Sequence, residues 1–111
     1  MKVYDTANKL AKEIRESEEY IEYKKMKEIV CNTLELKEKI ESFTKARYQT
    51  QVEAMKGQEP SKEQIELMQR LYMELIQNDV TKRYLEVEIK FNTMLADINK
   101  ILGESVQEVM E

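Results

Sequence analysis

A chain of 111 residues has room for one domain with a modest core, and a net charge of −4 gives it a field that repels nucleic-acid phosphates. Hydrophobic residues at 41% and charged ones at 36% are too apolar for a disordered chain and too evenly salted for a membrane one. Two glycines, one proline and no histidine leave few places to turn, and remove the side chain most used for acid-base work and transition-metal ligation.

Apolar spacing in this helix-forming composition predicts an all-α protein with a single domain over residues 1–111. Asp5 is placed to cap a first helix over Thr6–Arg15, where Ala7, Leu10, Ala11 and Ile14 recur at i, i+3, i+4, i+7. Ser17, followed by Glu18 and Glu19, opens a second helix carrying Tyr20, Tyr23, Met26, Ile29 and Val30. Asn32 and Thr33 form a weak break before a long third helix, marked by Leu36, Ile40, Phe43, Tyr48, Val52 and Met55 and ending before Gly57. The segment Gly57-Gln58-Glu59-Pro60 is the strongest punctuation, because glycine suits a helix exit and proline cannot continue one.

Ser61 and Gln64 have the spacing of a capping box, so a fourth helix begins at about Lys62 and carries Ile65, Met68, Tyr72 and Leu75. Gln77-Asn78-Asp79 forms a short connector with two possible caps. The last long helix shows Tyr84, Val87, Phe91, Met94, Ile98 and Ile101 at alternating steps of 3 and 4; Gly103 is expected to end it, leaving 104–111 frayed or as a short extra helix. Acid-to-base pairs at i, i+4, such as Glu35 with Lys39 and Glu66 with Arg70, add roughly 0.2–0.5 kcal/mol each. The expected architecture is an antiparallel bundle of four to five helices with a long hairpin made by helices three and four.

Helices of about 22 residues make rods of roughly 33 Å, long against the radius of gyration of about 13 Å of a compact domain this size. The distal halves of the hairpin carry Tyr48, Val52, Met55, Ile65, Met68 and Tyr72, and these apolar side chains need a cover. A second subunit is the simplest one, so the chain is expected to form a homodimer or a higher even oligomer; the alternative is that helices one and two fold back over the stripes.

No catalytic, metal or cofactor-binding residues emerge. Glycines at 57 and 103 belong to no phosphate-binding loop. Cys31 follows Ile29 and Val30 and reads as a buried structural thiol, lacking any histidine partner that would activate it. The methionines read as fillers of helical core gaps, and the tyrosines as core-edge or interface residues. The lysine group Lys24, Lys25 and Lys27 sits beside Glu22 and Glu28, as on a solvated helix face. Its competing use is RNA association, the alternative to protein interaction. No apolar run approaches the roughly 20 residues of a membrane span, and the N-terminus lacks a secretory signal's apolar stretch, so the chain is expected to be cytoplasmic.

The opening Val3-Tyr4-Asp5 through Leu10 to Arg15-Glu16-Ser17-Glu18-Glu19-Tyr20, the Gly57–Pro60 turn, and the closing Leu95-Ala96-Asp97-Ile98-Asn99-Lys100-Ile101 together resemble the YlbF/YmcA family of bacterial helical proteins, in its YheA-like branch. The resemblance implies an all-α oligomer without catalytic residues. It also implies a regulatory role of the kind held by family members in competence, sporulation, biofilm formation and ribonuclease Y-dependent mRNA processing. Relatives hold iron-sulfur clusters through cysteines; this chain departs from them, with Cys31 alone and no cysteine in its C-terminal tail.

Overall fold

The computed structural model describes residues 1–110 and contains five helices: α1 (Lys2–Glu16), α2 (Glu18–Cys31), α3 (Leu34–Met55), α4 (Lys62–Gln77) and α5 (Asp79–Met110). There is no strand among the described residues. The chain divides into two compact units, one formed by Met1–Met26 with Leu85–Glu111 and the other by Lys27–Tyr84. α2 and α5 each contribute to both.

Local chemistry sets most of the boundaries. The Ser17 hydroxyl donates to the Ile14 carbonyl at 2.6 Å and its oxygen accepts from the Tyr20 amide at 3.2 Å, so one side chain closes α1 and starts α2. At the end of α3 the Gly57 amide reaches the Ala54 carbonyl at 3.0 Å and the Gln58 amide reaches that of Glu53 at 3.0 Å. This is the Schellman arrangement, which needs the left-handed backbone that Gly57 supplies at φ 79°. Both arms of the capping box form at α4: the Gln64 amide donates to Ser61 Oγ and the Ser61 amide to Gln64 Oε1, each at 3.1 Å. Asn78 Oδ1 accepts from the amides of Val80 at 2.9 Å and Thr81 at 3.3 Å, capping α5.

Two boundaries differ from the sequence reading. α1 starts at Lys2, so Asp5 lies inside its first turn and its amide already bonds the Met1 carbonyl at 3.1 Å. A carboxylate there still favours the positive helix end without acting as the cap. α5 runs straight through Gly103 to Met110. A helical glycine costs only about 1 kcal/mol against alanine, and with no proline after it the flanking Leu102, Glu104, Gln107 and Glu108 carry the helix on.

In the Lys27–Tyr84 unit, α3 packs on α4. Val30, Leu36, Ile40, Phe43, Ala46, Leu75, Thr81 and Tyr84 are buried there, with the Phe43 and Tyr72 rings 6.2 Å apart and the Arg47 guanidinium 5.3 Å above the Phe43 ring. In the other unit Phe91 of α5 meets Tyr20 and Tyr23 of α2 at 6.0 and 5.2 Å, and Leu85, Val87 and Glu88 are buried. α1 contributes no buried residue.

Candidate interaction surfaces

On the hairpin, Leu36, Ile40, Phe43 and Ala46 of α3 and Leu75 of α4 are buried. What remains outward is the set predicted from the sequence, in part. Met55 is 87% exposed and Tyr48 66%, and Ile65 and Tyr72 are also exposed. Val52 and Met68 are half-buried. Tyr72 divides its surface, one part stacked toward Phe43 and one toward water. Near the hairpin tip the Gln64 side-chain amide donates to Glu53 Oε1 at 2.8 Å, tying α4 to α3 beside Met55 and Ile65. The hairpin therefore presents a discontinuous set of large apolar side chains to solvent.

The same unit holds an open groove of about 520 Å³ that the sequence reading did not anticipate. Val30, Ile40, Tyr48 and Tyr84 make its apolar floor, and Lys27, Lys37 and Lys45 stand around it with Glu41. Cys31 also lines this groove and is exposed, which corrects its expected burial. Successive helical residues point about 100° apart, so burying Val30 turns Cys31 outward at the last turn of α2.

In the other unit a second groove, of about 420 Å³, is lined by Val3, Thr6, Ala7 and Leu10 of α1 and by Leu102 of α5. Beyond it Val106, Val109 and Met110 are exposed. These positions continue the 3-and-4 spacing past Gly103. The apolar pattern is in the sequence on both sides of Gly103.

The methionines are not the core fillers expected: Met55 and Met73 are exposed, and Met26, Met68 and Met94 are half-buried. Flexible thioethers at the surface make an adaptable contact layer. Tyrosines divide between core (Tyr84), half-buried positions (Tyr20, Tyr23) and open surface (Tyr4, Tyr48). Lys24, Lys25 and Lys27 are exposed. Among the described residues no group of three or more acidic, cysteine or histidine side chains could hold a metal ion, and no helix is long and apolar enough to cross a membrane.

Comparison with known proteins gives consistent matches. The family model described as control of competence regulator ComK, YlbF/YmcA, matches residues 3–107. A UPF0342 protein of Symbiobacterium thermophilum is 36% identical over 104 residues, covering 94% of this chain and 93% of the relative. A UPF0342 protein of Caldicellulosiruptor bescii is 31% identical over 105 residues, covering 95% and 88%. Among solved structures, a protein of unknown function (DUF964) from Bacillus stearothermophilus superposes with a TM-score of 0.81 at 19% identity, covering 100% of this chain and 97% of that one. Bacillus subtilis RicA, solved in complex with RicF, matches with a TM-score of 0.58 at 21% identity, covering 99% and 97%. At those identities the two structures speak to the shared helical fold.

Proposed function

The chain belongs to the YlbF/YmcA family, and from that premise we propose that it is a non-enzymatic cytoplasmic regulatory protein that associates with copies of itself and docks a protein partner on its α3–α4 hairpin. The observation that carries this reading is the exposure of Tyr48, Met55 and Ile65, and of part of Tyr72, on a hairpin that already buries Leu36, Ile40, Phe43, Ala46 and Leu75. Isolated surface apolar residues are ordinary; several large ones on one hairpin mark an interaction face. Val52 and Met68, half-buried between them, extend the proposed face.

Kinship supports the choice of partner class. The family description names control of a competence regulator, and RicA was captured bound to RicF, another protein. By analogy this chain regulates by binding, in a process of the competence, sporulation, biofilm or ribonuclease Y-dependent mRNA-processing kind, and needs no cofactor to do so.

The test has two arms. Light scattering of the purified protein across a concentration series is expected to give an even multiple of the 13.3 kDa chain mass; a monomer at every concentration rejects self-association. Affinity capture from the native cell is expected to recover a partner at near-stoichiometric level with the wild type and to lose it with Met55→Asp/Ile65→Asp. Equal recovery by the variant removes the hairpin from the proposal.

A further inference from the structure

The groove bordered by Lys27, Lys37 and Lys45 in the Lys27–Tyr84 unit runs against the sign of the whole molecule. The chain carries −4 overall, whereas this groove sets three lysines against Glu41 alone. All three lysines are exposed. Lys37 and Lys45 enter no ion pair among the described residues, so their charge is not spent within the chain. The floor beside them is apolar, made by Val30, Ile40, Tyr48 and Tyr84. A site of this kind selects an occupant that has an apolar side with negative charge next to it.

We infer that this groove seats an acidic amphipathic helix of a different protein, about three turns long to match the α3 wall from Lys37 to Tyr48. The inference rests on the partner docking proposed above and gives a partner's chemistry at a second surface. Tyr48 borders both surfaces, while Met55 and Ile65 belong to the hairpin face and do not line the groove.

The spread of the charges selects the occupant. Lys37 and Lys45 are eight residues apart, about 12 Å along α3, and Lys27 belongs to α2. An amphiphile with one anionic head satisfies one end of this arrangement and leaves the other cation unmatched. Nucleic acid carries charge along its length, but its phosphates meet a repelling net charge and Glu41 midway between the two α3 lysines. A protein segment fits both features. No sheet edge exists among the described residues to bond an extended segment, so the segment must pair its own amides and carbonyls, as a helix does. Helices share one rise per residue, so two carboxylates eight residues apart on a helix lying along α3 match the spacing of Lys37 and Lys45, and a basic residue midway meets Glu41. Apolar side chains at i, i+3 or i+4, and i+7 of the same helix reach the floor.

Cys31, exposed and lining the groove, supplies a local readout, because an occupant shields its thiol. The probes are two synthetic helical peptides with the same leucine stripe. The acidic peptide has two glutamates eight residues apart on its flank with a lysine midway; its twin has two lysines with a glutamate midway. With the full chain, the acidic peptide is expected to bind with micromolar affinity in calorimetry and to slow modification of Cys31 by a thiol reagent about tenfold. The twin is expected to bind about tenfold more weakly. Lys37→Glu/Lys45→Glu is expected to reverse that order and the milder Lys37→Gln/Lys45→Gln to level it, with the far-ultraviolet circular dichroism unchanged. Met55→Asp/Ile65→Asp is expected to bind the acidic peptide as the wild type does. The inference is overturned by equal binding of the two peptides, by binding of neither, by a preference that both lysine variants retain, or by acidic-peptide binding that leaves Cys31 fully reactive. A thiol shielded without peptide and reactive only on dilution gives the groove to a second copy and overturns it as well. The hairpin reading is decided separately, by native capture with its own variant.

Discussion

The hydroxyl of Thr81, only 1% exposed, donates a 2.5 Å hydrogen bond to the carbonyl of Leu75, six residues earlier and across the corner between α4 and α5. The Asn78 carbonyl stands 3.3 Å from the same oxygen. The carbonyls at a helix end lack the usual partner four residues on; that of Leu75 accepts from the Asn78 amide at 3.4 Å, and this hydroxyl gives it a second, shorter bond. Thr81→Val keeps the shape and removes the donor, and is expected to lower unfolding free energy by about 1–3 kcal/mol in urea denaturation. Thr81→Ser should retain most of the stability. Equal stability of the valine variant would mean that the bond contributes nothing net.

The Ser61–Gln64 capping box yields a coupling prediction. Ser61→Ala is expected to cost about 0.5–2 kcal/mol. Gln64→Ala loses both its return bond to the Ser61 amide and its link to Glu53 at 2.8 Å. Because the pair shares one network, the double variant should be less destabilised than the sum of the singles, by roughly 0.5 kcal/mol or more in a double-mutant cycle. Strict additivity would show that the two arms act independently.

Two glycines predict opposite responses. Gly57 sits at φ 79°, where a side chain is strained, so Gly57→Ala is expected to destabilise by about 1 kcal/mol. Gly103 is helical, with open space where a Cβ would go, so Gly103→Ala is expected to stabilise by about 0.5–1 kcal/mol and to raise the helix signal. Loss of stability at position 103 would place the end of α5 at the glycine.

Which features were legible in the sequence follows from the range of the physics involved. The Ser61–Gln64 box, the Gly57 exit and a cap in the Gln77-Asn78-Asp79 connector are each settled within a few residues by backbone hydrogen bonding, and all three form, with Asn78 as the residue that caps. Asp5 failed as a cap because Lys2, Val3 and Tyr4 ahead of it are equally able to be helical, and nothing local stops the helix there. Gly103 failed as a stop because one glycine is a small penalty inside a 32-residue helix. The candidate face divides in the same way. Apolar spacing identified Tyr48, Met55, Ile65 and Tyr72 as hairpin residues, whereas the groove around Ile40 and Cys31 depends on how α2 meets α3, which no single-helix pattern encodes.

The exposed thiol of Cys31 makes a direct chemical prediction. In the native protein without denaturant, a thiol reagent is expected to titrate one group per chain, and Cys31→Ser to abolish the reaction. A thiol that reacts only after unfolding would restore the burial expected from its neighbours Ile29 and Val30.

The lysines on α2 predict weak, salt-sensitive contact with nucleic acid at most. Lys24, Lys25 and Lys27 share their helix with Glu22 and Glu28 in a chain of net charge −4. RNA retention measured by filter binding is therefore expected to vanish by about 200 mM salt without sequence preference. Sequence-selective binding that persists at that salt concentration would favour the RNA-associated reading instead.

The division into two units also sets an order of events during synthesis. Lys27–Tyr84 is an unbroken stretch, and its α3–α4 hairpin closes through the short link after Met55, whereas the other unit joins Met1–Met26 to Leu85–Glu111 with that whole stretch between them. Closing the longer loop costs roughly 2 kcal/mol more in chain entropy. On the ribosome, α1 therefore waits, amphipathic and without its neighbour, until the last helix has been made. The join made last is also the one expected to open first, and native-state hydrogen exchange should find the amides of α1 trading with solvent well before those of α3.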